Sequence, residues 1–407
     1  MQTQIPKIAN DLYYIGVQDP KMRTFDIIMH TANGTTYNAY LLKTKKGVVI
    51  FDTVKAEFSS TFLKNIQALC SFDEITHIIL HHLEPDHSGA LPALHKLAKN
   101  AKILISPLAL PMLKAITKAD ELPFETVWTN KSLDLGDKTL HFLSTPNLHW
   151  PETMSSYLQE DQILFSGDVF GSHYCDERLF NDKVGDFSYA FKYYFDHIMR
   201  PFKSDIQKAI NLCEKFQIKK ILPLHGPLLC KDPNQYINMY KKWSMPAKPL
   251  HGKDVVSIFY LSSYGNTLAM AKAICQGLLS NESIVSNMYD LSALDPLAML
   301  SLMDESKGII IGSPTINSDA PKPVWDLLSS MMFLEKRGRF GGCFGSYGWS
   351  GEGLEMVQNR LKTLKFRVPL EPLKARLIPN QDELKACEDF GKSFGQIVGG
   401  KMVEITL

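Results

Sequence analysis

The stretch ITHIILHHLEPDH, residues 75–87, decides how the first half of the chain is read. Its apolar run reads as a buried strand that runs straight into a polar loop. That loop carries His82, Glu84, Asp86 and His87, four residues of metal-ligand type at alternate or adjacent positions. In an extended exit loop such side chains converge on one point, whereas a helix would fan them around its axis. Three further residues of ligand type sit at comparable strand ends: His149 in TPNLHWP, Asp168 in LFSGDVF and His225 in LPLHGP. Each follows an apolar run and is flanked by Gly or Pro, the setting in which a buried strand delivers a side chain to the edge of a site. A lone histidine there is ordinarily just hydrogen-bonded, but H-x-E-x-D-H followed by separate His, Asp and His reads as a metal centre. His81 faces away from His82 if the strand continues, and is left outside the ligand set. Asp52, which ends the strand VVIFD, is either a turn residue or an acceptor for a ligand imidazole. One of His173, Tyr194 and His197 reaches the substrate pocket, and the sequence does not decide which.

Around this cluster the chain is an ordinary globular one. Its 407 residues suit two or three domains. Lys plus Arg (44) against Asp plus Glu (43) leaves a net charge of +1, which gives no basic surplus for nucleic acid or an anionic membrane. No apolar run approaches the roughly 18–20 residues of a membrane span, and MQTQIPKIANDLYYIG has neither signal-peptide nor transit character. The expectation is a soluble, cytoplasmic protein. The seven cysteines are scattered and form no C-x-x-C pair, so they read as buried thiols rather than as disulfides or an iron–sulfur or rubredoxin site.

The element pattern divides the chain. Residues 35–54 read as two strands joined at Lys45-Lys46-Gly47, and mixed strands and helices follow to the strand 218–226. Such β/α mixtures with charged groups at strand ends imply a sandwich of sheets flanked by helices. The proline- and glycine-bearing stretch 244–254 is the linker candidate. The expected domains are therefore 1–245 and 255–407, with 246–254 between them. Beyond the linker, strands at 255–261, 308–312, 340–345 and 373–378 alternate with helices at 267–280, 322–334, 353–364 and 382–397. That alternation argues for one doubly wound parallel sheet.

The second domain carries its own constellation. Ser262, Ser263, Tyr264, Gly265, Asn266 and Thr267 lie between a strand and a helix N-terminus, a cradle for an anionic phosphate. The loop has no lysine and no G-x-G-x-x-G spacing, so it is neither a Walker A nor a dinucleotide element. Ser313 leads into Pro314, Thr315, Ile316 and Asn317 after the next strand, and Ser346, Tyr347, Gly348, Trp349 and Gly351 follow the one after. Open α/β sheets bind ligands at these carboxyl ends, and Tyr347 and Trp349 suit a flat ring.

Taken together, the ligand run resembles the metallo-β-lactamase superfamily, with Glu84 where its usual signature has a second histidine. Three carboxylates beside four imidazoles make a harder, more anionic set, suited to iron rather than zinc. Asp168 is the natural bridge, because one carboxylate can give an oxygen to each of two ions. The three later segments look like a flavodoxin site for FMN. The combination resembles the flavodiiron family in its minimal form: an αββα metallo-β-lactamase-like domain followed by a flavodoxin-like sheet. The resemblance implies that His82, Glu84 and His149 hold one iron, that Asp86, His87 and His225 hold the other, and that Asp168 is shared. It also implies FMN as cofactor, reduction of O2 to water or of NO to N2O, and a separate electron donor such as rubredoxin or a reductase. A head-to-tail homodimer, or a dimer of dimers, follows from the same likeness, with no nucleic-acid or membrane partner. The competing reading is a dizinc hydrolase of the same fold with an accessory flavodoxin domain; Glu84 and the flavin loop weigh against it.

Overall fold

Alternation along VVIF settles which way the first sheet faces. Val48 and Ile50 pack with Phe62 and Ile66 of the helix Ser59–Gln67, whereas Val49 and Phe51 point into the layer between two sheets. In the computed structural model, which describes residues 5–118, 122–246 and 249–400, the chain forms two compact units, Met1–Met245 and Pro246–Leu407. Residues 247–248 of the expected linker lie outside the described residues, and Asp254 already begins a strand.

The first unit is a helix–sheet–sheet–helix sandwich. One seven-stranded sheet runs in the order Lys7–Ala9, Leu12–Tyr14, Tyr40–Thr44, Gly47–Phe51, Ile75–Ile79, Lys102–Ile105, Phe124–Thr126. The facing five-stranded sheet comprises Ser132–Asp134, Thr139–Ser144, Met154–Leu158, Ile163–Gly167 and Lys220–Pro223. Between them Phe51 stacks on Phe165 with ring centroids 3.9 Å apart, and Tyr40 meets Phe165 edge-on. Each ring removed from water here contributes about 1.5–3 kcal/mol. The hydroxyl of Tyr40 donates to the carbonyl of Pro223 at 2.5 Å, so even the polar tip ties one sheet to the other. Leu143, Tyr157, Leu164 and Ile221 on the far face of the second sheet are buried with Ile206 and Ile210 of the helix Lys203–Cys213.

One local expectation fails in this unit. Residues Pro85–Ser88 do not continue as an extended loop; they form a helical turn with proline at its first position. Glu84 precedes the turn, while Asp86 and His87 sit on it. The ligand types therefore fan apart, Glu84 to one cluster and Asp86 and His87 to the other.

The second unit is a five-stranded sheet in the order Ile284–Asp290, Asp254–Tyr260, Gly308–Gly312, Phe340–Tyr347, Leu373–Arg376, with every neighbouring pair parallel. This is the flavodoxin-like order, with its switch point beside the first strand. The edge strand Ile284–Asp290 and the helix Pro296–Glu305 were missing from the sequence reading. The strand carries only one fully buried side chain, so it presents no apolar run to read. On one face the helices Asn266–Leu279 and Gln381–Val398 cross at two glycines. A methyl group on Gly277 would lie 1.9 Å from the carbonyl oxygen of Glu388, and one on Gly391 would lie 2.1 Å from that of Ile274.

Gly277→Ala tests that crossing. Alanine gains about 1 kcal/mol of helix propensity, but overpacking against a rigid backbone costs about 1–3 kcal/mol. At so short an approach the clash wins, and urea unfolding should report a net loss of about 1–2 kcal/mol. A stabilised variant would show that the helices do not cross this closely.

Candidate metal centre

The ends of both sheets deliver the donors. His82 follows the strand Ile75–Ile79, and Asp168 and His225 follow Ile163–Gly167 and Lys220–Pro223. His149 lies in the connection between Thr139–Ser144 and Met154–Leu158. All seven residues singled out as ligands come together, in two groups. His82, Glu84, His149 and Asp168 form one, and Asp86, His87 and His225 form the other. In the first, Glu84 Oε2 lies 3.1 Å from Nε2 of both His82 and His149, and Asp168 Oδ2 lies 3.2 Å from His149 Nε2 and 3.5 Å from His82 Nε2. In the second, Asp86 Oδ2 is 3.2 Å from His87 Nε2 and 3.1 Å from His225 Nε2. The other oxygen of Asp168, Oδ1, faces this group at 3.3 Å from His87 Nε2. The carboxylate of Asp168 thus turns one oxygen to each group.

Buried partners set which imidazole nitrogen is free. His82 Nδ1 donates to Glu152 Oε1 at 2.7 Å, and His225 Nδ1 donates to the Thr36 carbonyl at 2.6 Å. Both rings therefore turn Nε2 toward their group, where a cation would take the place of any proton, the arrangement that metal-binding histidines use. Glu152 was not found in the sequence: an acid in the turn WPET looks like a surface residue, yet it is 1 % exposed. Asp52 proves not to serve a ligand imidazole. Its oxygens accept from the His81 backbone N–H at 2.7 Å and from His81 Nδ1 at 2.6 Å, while His81 Nε2 meets Ser156 Oγ at 2.7 Å. That triad joins the two sheets directly behind the ligand loop. Of the three residues left open, His173 and Tyr194 are buried against His225, with centroids 4.9 and 6.1 Å away. His197 instead bonds the Tyr193 carbonyl and packs on the Tyr193 ring.

The donor set fits a pair of cations. Both oxygens of Asp86 and Oδ1 of Asp168 are buried without a hydrogen-bond partner among the described residues, although buried carboxylates are costly unless paired. His87 and His225 point Nε2 at each other across 3.1 Å, a contact that makes sense around a shared ion. The donors are nitrogen and oxygen only, and close to half are carboxylate, which suits iron. Electrostatics agree. Burial alone would lower the pKa of His149, but hydrogen bonds to Asp168 and Glu84 outweigh it and raise it to about 9. Burial likewise opposes ionisation of Asp168, yet His87, His149 and His82 hold its carboxyl well below the usual range.

In the second unit, a cleft at the carboxyl ends of the strands is lined by Ser262, Ser263, Tyr264, Asn266, Thr267, Pro314, Thr315, Ile316, Ser346, Tyr347 and Gly348. Leu377 also lines it and was not anticipated. Gly265, Asn317, Trp349 and Gly351 are not among the lining residues; Trp349 stands 94 % exposed instead of packing in the cleft. Gly265 still shapes the loop: its φ of +85° is the left-handed conformation glycine allows, and the space before its Cα is open. Ser262 Oγ accepts from the Leu268 N–H at 3.2 Å, and Thr267 and Ser346 join their hydroxyls at 3.1 Å, so the cradle is braced from both sides. An open strand-to-helix cradle of this kind fits the phosphate of FMN.

Two outcomes follow for the metal centre. Glu152→Gln keeps an acceptor for the Leu83 N–H but removes the charge behind His82, so metal affinity should fall by about 10–100-fold with the fold intact. Competition with a chelator, alongside circular dichroism, checks this; an unchanged affinity would show that Glu152 does not orient His82. Second, the raised histidines are protonated in the metal-free protein below about pH 9 in the case of His149, and cations must displace those protons. Affinity for Fe(II) should therefore fall as pH falls, with protons released on binding. Calorimetry in buffers of different ionisation enthalpy measures that release, and its absence would contradict the electrostatic account.

Comparison with known proteins agrees with this architecture. Residues 35–226 match the ODP family beta lactamase, and residues 258–391 match flavodoxin. The chain is 42% identical over 398 residues to the type A flavoprotein fprA of Rhodobacter capsulatus, covering 97% of this chain and 92% of the relative. It is 33% identical over 397 residues to the anaerobic nitric oxide reductase flavorubredoxin of Escherichia coli, covering 96% of this chain and 81% of the relative. Among solved structures, rubredoxin oxygen:oxidoreductase from Desulfovibrio gigas superposes with a TM-score of 0.69 at 27% identity, covering 98% of this chain and 99% of that one. The chain belongs to the flavodiiron family of type A flavoproteins, oxidoreductases that carry FMN and a non-haem diiron centre.

Proposed function

We propose that this chain reduces O2 to water, NO to N2O, or both, with electrons passed through FMN from an external donor. The observation that carries the reading is the carboxylate of Asp168, turned by one oxygen to each of two carboxylate-rich donor groups. In this reading His82, Glu84 and His149 hold one iron, Asp86, His87 and His225 hold the other, and Asp168 bridges them. FMN rests in the cleft formed by the loops that begin at Ser262, Pro314 and Ser346. When bound, the flavin supplies electrons and the paired irons bind a diatomic molecule and reduce it.

The chain's own residues do the rest. Glu84 replaces a neutral imidazole with an anion, which raises the negative charge around the first site and favours iron over zinc. Glu152 and the Thr36 carbonyl hold the His82 and His225 rings in the tautomer that presents Nε2. Phe25 lies 4.2 Å from His173 and 5.3 Å from His225, an apolar cover that keeps bulk water from the second group. Tyr264 and Trp349, 92 % and 94 % exposed, stand at or beside the flavin cleft with Ile316 and Leu377. Exposed apolar side chains of this kind mark an interaction surface, which supports a head-to-tail homodimer and docking of a redox partner such as rubredoxin or a reductase.

Protein purified from iron-replete cells should be yellow and hold about one FMN and two irons per chain, one for each donor group. Fully reduced anaerobically, it should be reoxidised by O2, by NO, or by both, in parallel single-turnover mixing. Glu84→His should shift the centre toward zinc and abolish reduction while FMN is retained. A colourless preparation with two zinc ions, or a Glu84→His variant with full iron and full turnover, would defeat the reading.

A further inference from the structure

His173 is a buried imidazole with one nitrogen engaged and the other without a partner. Its Nδ1 lies 2.9 Å from Thr35 Oγ1. Its Nε2 is buried and has no hydrogen-bond partner among the described residues. The ring packs 4.9 Å from His225, 5.0 Å from Tyr194 and 4.2 Å from Phe25. It belongs to neither donor group, yet it stands against a member of one of them. A neutral imidazole carries one proton, and its chemistry depends on which nitrogen holds it.

Thr35 decides that. The Thr36 carbonyl can only accept, so the 2.6 Å contact places a proton on His225 Nδ1. Thr35 Oγ1 lies 3.3 Å from the same N–H and faces it with a lone pair. Its own hydroxyl hydrogen then has two destinations, His173 Nδ1 at 2.9 Å and the Thr36 carbonyl at 3.4 Å. The nearer contact is of ordinary hydrogen-bond length and the other is at its limit. With the hydroxyl donating to His173, Nδ1 is unprotonated and Nε2–H is a buried donor without a partner among the described residues. Native structures rarely leave such a group unsatisfied. His225, against which the ring packs, belongs to the second donor group, so a molecule bound at that group is the acceptor at hand.

We propose that His173 Nε2–H donates a hydrogen bond to the small molecule bound at the ion held by Asp86, His87 and His225, and that Thr35 is the positioning residue that fixes this tautomer. The inference rests on the reading of the centre as a diiron site for O2 or NO. Both molecules offer a lone pair and gain negative charge as they are reduced, and a fixed donor aimed at that charge stabilises it. The proton stays on His173 in this role; no bond to it breaks.

Two spectroscopic readings test the pair. Nitrogen-15 NMR of histidine-labelled, zinc-loaded protein should find His173 protonated at Nε2. Thr35→Val should lose that preference and Thr35→Ser should keep it. In the reduced, iron-loaded protein the N–O stretch of bound NO should move to higher wavenumber in His173→Phe and Thr35→Val, and return toward the wild-type value in His173→Gln and Thr35→Ser. A wild-type His173 protonated at Nδ1 overturns the proposal, as does an unmoved N–O stretch in His173→Phe that retains both irons. Should His173→Phe lose iron, an unmoved stretch in Thr35→Val overturns it alone. A wild-type protein that takes up no iron defeats the reading of the centre and this inference with it, whereas an intact adduct that ignores these substitutions defeats the inference only.

Discussion

Three carboxylates, those of Glu84, Asp86 and Asp168, are gathered where water hardly reaches, and positive charge must neutralise them. A buried carboxylate costs several kcal/mol that only close, well-oriented opposite charge returns. In the protein alone that charge is borne by protons on His82, His87 and His149, whose pKa values stand above the ordinary range. Two cations would do the same work without the protons, and they would also satisfy the oxygens of Asp86 and Asp168 that lack hydrogen-bond partners among the described residues. Much of the first unit is arranged around this exchange of protons for metal.

The scaffold that supports it is the inter-sheet layer. The stack of Phe51 on Phe165 fixes the separation of the sheets, and the Asp52–His81–Ser156 triad joins them at the edge where the ligand loop begins. From there adjacent residues diverge. His81 turns back into the scaffold and His82 turns forward into the site, as neighbours on an extended chain must. The helical turn Pro85–Ser88 then carries Asp86 and His87 to the second group. A short helical turn in place of an extended loop is what divides the donors of this segment between two groups.

Much of this was legible in the sequence because ligand-type residues after apolar runs have few other uses. His82, Glu84, Asp86, His87, His149, Asp168 and His225 all follow that pattern and all converge. The parts that were not legible share a physical reason: their roles depend on burial that local sequence does not encode. Glu152 sits in a proline turn that reads as surface, and only the sheet packing over it makes it a partner for His82. Asp52 was read as a possible partner of a ligand imidazole, but it accepts from His81, because the order of two adjacent histidines does not say which of them faces a neighbouring strand. The edge strand Ile284–Asp290 escaped notice because one-sided, partial burial leaves no apolar run. Trp349, expected at a flat ring, stands exposed next to the cleft residues Tyr347 and Gly348.

The central claim is that Asp168 divides its two oxygens between two iron ions. Anomalous scattering from crystals, recorded on both sides of the iron absorption edge, measures this directly. The account predicts two separate iron peaks, one within the group His82, Glu84 and His149 and one within the group Asp86, His87 and His225, with the Asp168 carboxylate between them. A single peak, or peaks that persist below the iron edge because the metal is zinc, would contradict it.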